Sequence, residues 1–368
     1  MQQRVLHVLN GLGTGGIEKY ILDLFQQIDP KKYVFDFLLR KKANMHEQLI
    51  SSLGGRVYYV SPYPEKKKQN YKDVDQFFHS HKEYNIVHIH MNSLEYITIL
   101  KLAKKHHIPN IILHSHNSSR VTLKARSLHY RNRFLTRNYP TERLACSDKA
   151  ANWMFGDQSY MFVSNGINTE QFKFNQTYRD EIRKELSLGD KYVWGHVGRL
   201  SEIKNQKFVI DLFNRQLSTN PNSMLILVGE GRDEKYLKEY VESNNLSKRV
   251  LFLGVRNDVN KLLSAMDVMV FPSLAEGFPI SIIEAQCSGL KCILSDTITS
   301  QVAITDKVEF LSLNDEMSVW NNKINQPPSK SDRTYYYSLV RTAGFDIKET
   351  SKRIENFYDD LISRNMTK

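Results

Sequence analysis

The sequence predicts an α/β protein built from two doubly wound domains, each with a parallel sheet. Short runs rich in β-branched and aromatic residues, among them RVLHVL, NIVHIHM and NIILHSH, alternate with segments of helical period. This alternation is typical of βαβ units. It stops over residues 165–190 and restarts with YVWGHV, SMLILVG and VMVF. A chain of 368 residues also exceeds what one hydrophobic core usually supports.

The domain boundaries follow from that interruption. We expect an N-terminal domain over residues 1–170 and a C-terminal domain over residues 171–344. The tail at about 345–366 has helical period and is expected to cross back onto the N-terminal domain.

The composition indicates a cytoplasmic protein. No stretch approaches the roughly 18 apolar residues of a membrane span, and the N-terminus lacks the pattern of a signal peptide. The three cysteines, Cys146, Cys287 and Cys292, form no C-x-x-C pair and are expected to be small buried hydrophobes in a reducing compartment.

The net charge of +11 is unevenly distributed. Residues 1–150 carry 24 Lys and Arg against 12 Asp and Glu, whereas the remainder carries 27 against 28. The first half is therefore expected to face an anion, such as a phosphorylated acceptor or the anionic inner face of a membrane. Nucleic acid is not expected, because no recognisable nucleic-acid-binding motif is present.

A glycine loop follows the first predicted strand. Gly11, Gly13 and Gly16 spell G-x-G-x-x-G between RVLHVL and the helical segment IEKYILDLFQQI, which is the pattern of a nicotinamide-binding turn. That pattern needs an acid at the end of the second strand. Asp36 lies near the start of this strand, and its end carries Arg40 to Lys42 instead.

Three interpretations of the loop remain open from the residues alone: a dinucleotide site, a tight turn without a ligand, and a loop that approaches a phosphate or an acceptor. The sequence favours the third. In it, the glycines would let the backbone approach a phosphate or an acceptor.

The second half carries two constellations suited to a sugar nucleotide. Arg199 ends a strand and Lys204 follows it, so that a forked cation and a point charge could bind a diphosphate. Either alone would ordinarily be a solvated surface cation. Further along, Glu276 and Glu284 flank a G-F-P turn that opens a helix, where backbone N–H groups and the helix dipole suit a phosphate.

Each glutamate has an expected role beside that turn. Glu284, one helical turn in, could accept hydrogen bonds from ribose hydroxyls, and Glu276 could bind sugar hydroxyls. For Glu284 alone the ordinary alternative is an acid that faces solvent or the helix dipole. A loop at Val255 and Arg256 offers backbone groups to the edge of a base, although residue types do not reveal such a role.

Taken together, these motifs resemble the family 4 glycosyltransferases, and most closely those of bacterial capsular or exopolysaccharide synthesis. The family's E-x7-E motif corresponds here to EGFPISIIE. The resemblance implies the GT-B fold, in which two Rossmann-like domains face each other across a cleft. It also implies a set of donor-binding residues: Gly15, Gly16, Arg199, Lys204, Val255, Arg256, Glu276, Gly277, Phe278, Pro279, Ile280, Ser281 and Glu284.

Two H-x-H pairs end successive strands of the first half, His88 with His90 and His114 with His116. Four histidines could suggest zinc, but the pairs lack cysteine or acidic company, so no metal site is expected. By the resemblance, His116 would contact the transition state in the cleft, with His90 a weaker cleft candidate. The predicted catalytic residues are His116, Arg199, Lys204 and Glu276.

A basic segment follows His116. Its cations, which no acid accompanies, are Arg120, Lys124, Arg126, Arg131, Arg133 and Arg137. A solvated helix surface is the ordinary interpretation. The alternative is contact with a lipid-linked diphosphate acceptor and an anionic membrane, with Arg120, Lys124 and Arg126 on the acceptor side.

The resemblance implies a retaining enzyme that moves a hexose or N-acetylhexosamine from a nucleotide diphosphate sugar, most simply a UDP-sugar, to a saccharide or lipid-linked saccharide. Fixed cations would stabilise the departing diphosphate, so we expect no cofactor and no essential metal ion. Two alternatives remain: a NAD-dependent oxidoreductase, and a UDP-sugar epimerase or hydrolase on the same scaffold.

Overall fold

A computed structural model of the chain describes residues 2–13, 15–42, 46–116, 122–326 and 332–366. The chain folds into two units. The N-terminal unit comprises residues 1–166 and 347–368, and the C-terminal unit comprises residues 167–346. The boundaries expected from the sequence, at 170 and 345, lie within a few residues of these.

The strands and helices of the described residues alternate along the chain. The strands are β1 (Gln3–Leu9), β2 (Tyr33–Leu39), β3 (Val57–Tyr59), β4 (Ile86–Met91), β5 (Asn110–Ser115), β6 (Glu142–Ala145), β7 (Met161–Phe162), β8 (Tyr192–Val197), β9 (Ser223–Val228), β10 (Val250–Phe252), β11 (Val268–Phe271), β12 (Lys291–Ser295) and β13 (Val308–Leu311). The helices are α1 (Gly16–Gln27), α2 (Glu47–Ser52), α3 (Lys67–Ser80), α4 (Thr98–Lys105), α5 (Leu123–Leu135), α6 (Asp148–Phe155), α7 (Thr169–Phe172), α8 (Gln176–Glu185), α9 (Gln206–Gln216), α10 (Glu234–Ser243), α11 (Val259–Ala265), α12 (Ile280–Cys287), α13 (Met317–Asn325), α14 (Tyr336–Val340) and α15 (Ile347–Met366).

The sheet of the N-terminal unit has the strand order β3-β2-β1-β4-β5-β6-β7, and every pair in it is parallel. Strands β2, β4 and β5 are buried along their whole length, as expected for a parallel sheet covered on both faces. The strand order reverses direction between β1 and β4. The carboxyl ends of these two strands therefore form the crevice in which doubly wound sheets bind ligands.

The sheet of the C-terminal unit follows the same scheme, with the parallel order β10-β9-β8-β11-β12-β13. Its core packs around the fully buried side chains of Trp194, Phe213 and Trp320. The direction of the strand order reverses between β8 and β11. The loops after these two strands carry the predicted donor residues, so the motifs lie at a ligand-binding edge.

The last helix belongs to the N-terminal unit, as the sequence predicted. Helix α15 packs on α1 and buries Ile354, Tyr358 and Leu361. The Tyr358 hydroxyl reaches the centre of the first sheet, where it lies 2.7 Å from His88 Nδ1.

Two expectations from the composition can be compared with the structure. Cys146, Cys287 and Cys292 are free and buried, as expected. In the part of the chain that the structure describes, no helix combines the length and apolar character needed to cross a bilayer.

Candidate active site

The C-terminal unit brings two predicted residues into direct contact. Lys204 Nζ lies 2.5 Å from Glu276 Oε1, and both side chains are largely buried. The Lys204 ammonium also lies 4.6 Å from the centre of the Phe271 ring. A partly buried ion pair of this kind holds both side chains in one geometry.

The chain around Lys204 explains why the pair forms. Lys204 ends a short 3-10 turn that begins at Glu202, and Asn205 follows in the left-handed conformation with φ of 56°. The loop after β11 is bonded to this turn: Leu274 N–H donates to Ile203 O at 2.8 Å, and Asn205 Nδ2 donates to Pro272 O at 3.1 Å. The two segments that carry Lys204 and Glu276 are thus fixed to each other through the backbone.

Arg199 lies at the same edge of the sheet, after β8. Its side chain is exposed, and within the described residues no carboxylate lies within ion-pair distance of the guanidinium. Its backbone carbonyl accepts a hydrogen bond from Gln206 Nε2 at 2.8 Å, which fixes the loop. Arg199 is therefore a cation with donors available to an anion.

Two glycines that the sequence analysis did not single out also shape this loop. A Cβ at Gly229 would collide with Gly198 O, and a Cβ at Gly231 would collide with Leu200 O. Gly229 also has a φ of 128°. The G-E-G sequence after β9 could have signalled this close approach of two backbones.

The E-G-F-P turn opens helix α12 as predicted. Pro279 is the N-cap, no side chain caps the helix, and its first turn contains no acidic residue. The Phe278 ring stacks on Phe345, with centroids 5.4 Å apart and planes 8° apart. Glu284 lies one turn after Ile280 and is buried. The turn thus presents the positive end of a helix dipole with no acid in its first turn.

Arg256 is committed to the protein rather than to a ligand. Its guanidinium bonds Asp258 at 2.7 Å and Glu185 at 3.1 Å, and these bonds raise its pKa. Val255 beside it is 44% exposed. The role predicted for this loop is that its backbone groups bind the edge of a base. The contacts of the Arg256 side chain do not test that role.

In the N-terminal unit, five histidines cluster on the three central strands. His7 on β1 joins the four predicted histidines on and after β4 and β5, and all five are buried. His7 lies opposite His88 in the β1–β4 register, and His90 lies opposite His114 in the β4–β5 register. His7 was not predicted, because only the tertiary register brings β1 beside β4.

Three of these rings form a hydrogen-bonded chain. His7 Nδ1 lies 2.9 Å from His90 Nε2, His90 Nδ1 lies 2.8 Å from His116 Nε2, and His116 Nδ1 lies 3.0 Å from Asn165 Oδ1. The planes of His7 and His90 differ by 11°, with centroids 5.2 Å apart. Two imidazole rings that are joined edge to edge by an N···N hydrogen bond have this distance between their centroids.

The amide oxygen of Asn165 determines the tautomers along this chain. It accepts from His116 Nδ1–H, so His116 Nε2 accepts from His90, and His90 Nε2 accepts from His7. The chain then ends on a bare His7 Nε2, which has no partner among the described residues. The opposite direction would leave a buried N–H there, which is rarer in native proteins. Both nitrogens of His116 are thus occupied within this unit.

Burial keeps the cluster neutral. It lowers the pKa of His116 to about 4 and that of His7 to about 3, and it also lowers the pKa of His88, His90 and His114. In two triplets that share His90, the ring nitrogens lie within 4.8 Å of one another. A metal ion there would have to replace the existing N–H···N bonds. No metal is therefore needed to account for this arrangement.

The glycine loop differs from a dinucleotide site. The Glu18 carboxylate occupies the space that a Cβ at Gly15 would take, so an acid already lies over the start of α1. Asp36 is fully buried and bonds Arg4, Tyr84 and the Arg56 N–H at 2.6 to 2.7 Å. It is therefore a structural residue and not available to a ribose.

Residues 123–135 of the basic segment form helix α5. Arg120 lies outside the described residues, whereas Lys124 and Arg126 lie on this helix, and Lys124 is exposed. The helix is anchored by His129, which stacks on Trp153 with centroids 3.8 Å apart. Several apolar side chains of α5 also face solvent, namely Leu123 (86% exposed), Phe134 (79%) and Leu135 (50%). This surface is both cationic and apolar.

Comparison with known proteins shows the family. Residues 178–326 match the family model described as glycosyl transferases group 1. The chain is 32% identical to the putative glycosyltransferase EpsF of Bacillus subtilis (strain 168), over 97% of both chains. The chain belongs to the group 1 glycosyltransferases. This membership excludes the oxidoreductase alternative.

The glycosyltransferase also resembles proteins with more specific descriptions. It is 26% identical to the UDP-Gal:alpha-D-GlcNAc-diphosphoundecaprenol alpha-1,3-galactosyltransferase of Escherichia coli, over 98% of this chain and 97% of that one. Anabaena HepE, solved with UDP and glucose, superposes with a TM-score of 0.81 at 18% identity, over 98% of this chain and all of that chain. The fold of this glycosyltransferase is therefore GT-B.

Proposed function

We propose that this glycosyltransferase moves a hexose or N-acetylhexosamine from a UDP-sugar to a saccharide carried on a lipid diphosphate, with retention of the anomeric configuration. The observation that carries the proposal is the constellation of the Lys204–Glu276 ion pair, the exposed Arg199 and the uncapped start of α12 at one sheet edge. The Escherichia coli relative, whose name includes a UDP-sugar donor and a lipid diphosphate acceptor, supports the substrate classes.

The donor would bind to the C-terminal unit. Arg199 and the N–H groups at the start of α12 would hold the two phosphates, and Lys204 would add a point charge. Glu276 would bind hydroxyls of the transferred sugar, and Glu284 those of the ribose. Because Lys204 and the start of α12 are fixed before the reaction, they would, together with Arg199, stabilise the negative charge that develops on the leaving diphosphate. The proposal therefore requires no metal ion.

The reaction would be a substitution on one face of the sugar. The bond between the anomeric carbon and the β-phosphate oxygen breaks, and its electron pair stays on the phosphate. The acceptor oxygen forms the new bond on the same face, and its proton passes to the departing phosphate. A double displacement would need a carboxylate nucleophile. Of the two glutamates that flank the G-F-P turn, Glu276 is already held in an ion pair by Lys204.

Helix α5 supports a second element of the proposal, contact with an anionic membrane surface. Its cations would interact with acidic headgroups, and the exposed side chains of Leu123 and Phe134 would enter the interface. An enzyme with a lipid-linked acceptor must reach that surface.

The donor is tested first. A panel of nucleotide sugars is screened by thermal shift, because a ligand that binds only the folded state raises the Tm. UDP-sugars are expected to raise the Tm more than GDP- or ADP-sugars. The hits are then incubated with a GlcNAc-diphospho-lipid of shortened chain, and NMR of the product gives the anomeric configuration. Release of UDP without any acceptor would instead support a hydrolase, and an inverted product would overturn retention.

A further inference from the structure

One arginine of the N-terminal unit occupies the position where ligands bind to doubly wound sheets. Arg40 follows β2 directly, and Tyr96 follows β4. In the order β3-β2-β1-β4, strand β1 lies between them. The Arg40 Cζ atom lies 4.1 Å from the centre of the Tyr96 ring. The pair therefore spans the carboxyl end of β1, beside the switch point between β1 and β4.

The Arg40 side chain stacks on a ring that is itself held in place. Tyr96 is buried, and its ring packs against Tyr63, with centroids 4.9 Å apart. The N–H groups of Arg40 and Lys41 both donate to Asn10 O, at 3.2 and 2.9 Å, which ties the end of β2 to the glycine loop. A guanidinium stacked on an aromatic ring loses little further freedom when it binds a ligand.

In the described part of the chain, the guanidinium nevertheless has no hydrogen-bonding partner. Within the residues the structure describes, no carboxylate or carbonyl oxygen lies within hydrogen-bond distance of its N–H groups. Two other partly buried arginines are satisfied: Arg4 bonds Asp36 at 2.6 Å, and Arg333 bonds the carbonyls of Ser288, Met266 and Leu263 at 2.9 to 3.0 Å. Arg40 differs from them in this respect.

This combination has an energetic consequence. Arg40 is partly buried, and the loss of solvent lowers its pKa, but a guanidinium remains charged in proteins. A partly desolvated cation is stabilised when an anion with matching oxygens accompanies it. Phosphate and carboxylate both present two oxygens that fit the arginine fork.

We propose that Arg40 binds an anionic group of the acceptor, either a phosphate of the lipid diphosphate or the carboxylate of a uronic acid. Tyr96 serves as the platform that aims the guanidinium over β1. The inference rests on the proposed function in taking the N-terminal unit as the acceptor-binding unit. It adds that the acceptor has an anionic group at this position and that Arg40 is the residue that binds it.

A direct binding experiment tests the site. The protein is saturated with UDP so that the donor phosphate site is occupied, and inorganic pyrophosphate and sodium glucuronate are titrated separately by calorimetry. We expect Arg40→Gln and Tyr96→Leu to weaken binding of the preferred probe at least tenfold, with Arg40→Lys between them and the wild type. Tyr96→Phe and the exposed control Arg232→Gln should bind as the wild type does. The probe that binds with the higher affinity shows whether the anionic group of the acceptor is a phosphate or a carboxylate.

Two outcomes would overturn the inference: a wild-type protein that binds neither probe at millimolar concentration, or an Arg40→Gln variant that keeps the wild-type Tm and binds equally well. A transfer assay separates this result from the proposed function. If transfer to the GlcNAc-diphospho-lipid occurs and Arg40→Gln leaves the acceptor KM unchanged, Arg40 does not bind this acceptor. If no transfer occurs but pyrophosphate binding still depends on Arg40, the anion site stands and the proposed function fails.

Discussion

Lys204 Nζ and Glu276 Oε1 are 2.5 Å apart, in the loops that follow β8 and β11 of the C-terminal unit. The pair joins two loops that are far apart in the sequence and that the backbone bonds hold together. An arriving diphosphate would compete with Glu276 for the same ammonium. The predictions for the donor site therefore depend on this ion pair.

The first prediction concerns this pair. Lys204→Ala should lower kcat about a hundredfold, because it removes a fixed charge that stabilises the leaving diphosphate. Glu276→Gln should also lower kcat and should raise the donor KM less than Lys204→Ala does. Steady-state kinetics with a saturating acceptor measure both parameters. Lys207→Ala, which removes a lysine paired with Asp211 on α9, is the matched control and should keep wild-type kcat. Activity in Lys204→Ala equal to that control would contradict the assignment.

The second prediction concerns the ribose. Glu284→Ala should weaken UDP binding about tenfold to a hundredfold, because hydrogen bonds to a charged group contribute about 1.5–3 kcal/mol. Glu284→Gln, which keeps an acceptor oxygen, should lose less. Calorimetry with UDP measures the change, and Glu239→Ala on the exposed face of α10 is the control. Unchanged UDP affinity in Glu284→Ala would show that this carboxylate does not bind the nucleotide.

The third prediction concerns metal dependence. Activity after treatment with EDTA and gel filtration should equal that of the untreated enzyme, because Arg199, Lys204 and the start of α12 supply the positive charge. Addition of manganese or magnesium should then change the rate by less than twofold. Loss of activity that manganese restores would contradict this prediction.

The fourth prediction concerns acid sensitivity. The five buried histidines have folded-state pKa values below the ordinary value of 6.5, so the folded protein binds fewer protons than the unfolded chain. Their contribution to stability is complete above pH 6.5 and is lost as the pH falls from 6.5 towards about 4. Each histidine that the unfolded chain protonates lowers the free energy of unfolding by up to about 1.4 kcal/mol per pH unit.

Urea unfolding between pH 7.5 and 5 measures this dependence. His7→Phe, which keeps a ring beside Phe35, should give a shallower loss of stability with falling pH than the wild type. His79→Phe, at an exposed position on α3, should leave the slope unchanged. Equal slopes in all three proteins would show that the buried cluster does not control acid stability.

The fifth prediction concerns helix α5. Reversal of three of its charges, Lys124→Glu, Arg126→Glu and Arg131→Glu together, should weaken cosedimentation with vesicles of anionic phospholipid by at least about a hundredfold. Loss of the three cations alone costs about 1 kcal/mol each, and the new carboxylates are repelled by the headgroups. Reversal of Lys235, Lys238 and Lys248 in the C-terminal unit changes the net charge equally and should have a smaller effect. Equal effects of the two triple variants would show that α5 is an ordinary solvated helix surface without specific contact to the membrane.

The fold could be predicted because its signals are local. Apolar runs such as NIVHIHM and SMLILV are buried strands, and the G-F-P turn with the following apolar segment determines where α12 begins. The position of Arg199, Lys204 and Glu276 at one sheet edge was predictable for the same reason, since each follows a recognisable strand. Their binding of a donor stays a prediction.

What the sequence did not predict depends on contacts between distant segments. His7 joins the histidine cluster only because β1 pairs with β4, and Gly229 matters only because its backbone touches Gly198. The stacking of Arg40 on Tyr96 likewise requires the strand order β2-β1-β4. No periodicity in the sequence encodes these relations. They follow from the register and order of the sheets.

Helix α15 has a consequence for how the chain is made. The N-terminal unit needs the buried side chains of Ile354, Tyr358 and Leu361 to complete its core, and the Tyr358 hydroxyl contacts His88 in the middle of the sheet. During translation these residues leave the ribosome only after the entire C-terminal unit has been synthesised. The unit that is synthesised first is therefore completed last. Until α15 has been synthesised and has packed on the nascent N-terminal unit, the apolar surface that it covers stays exposed.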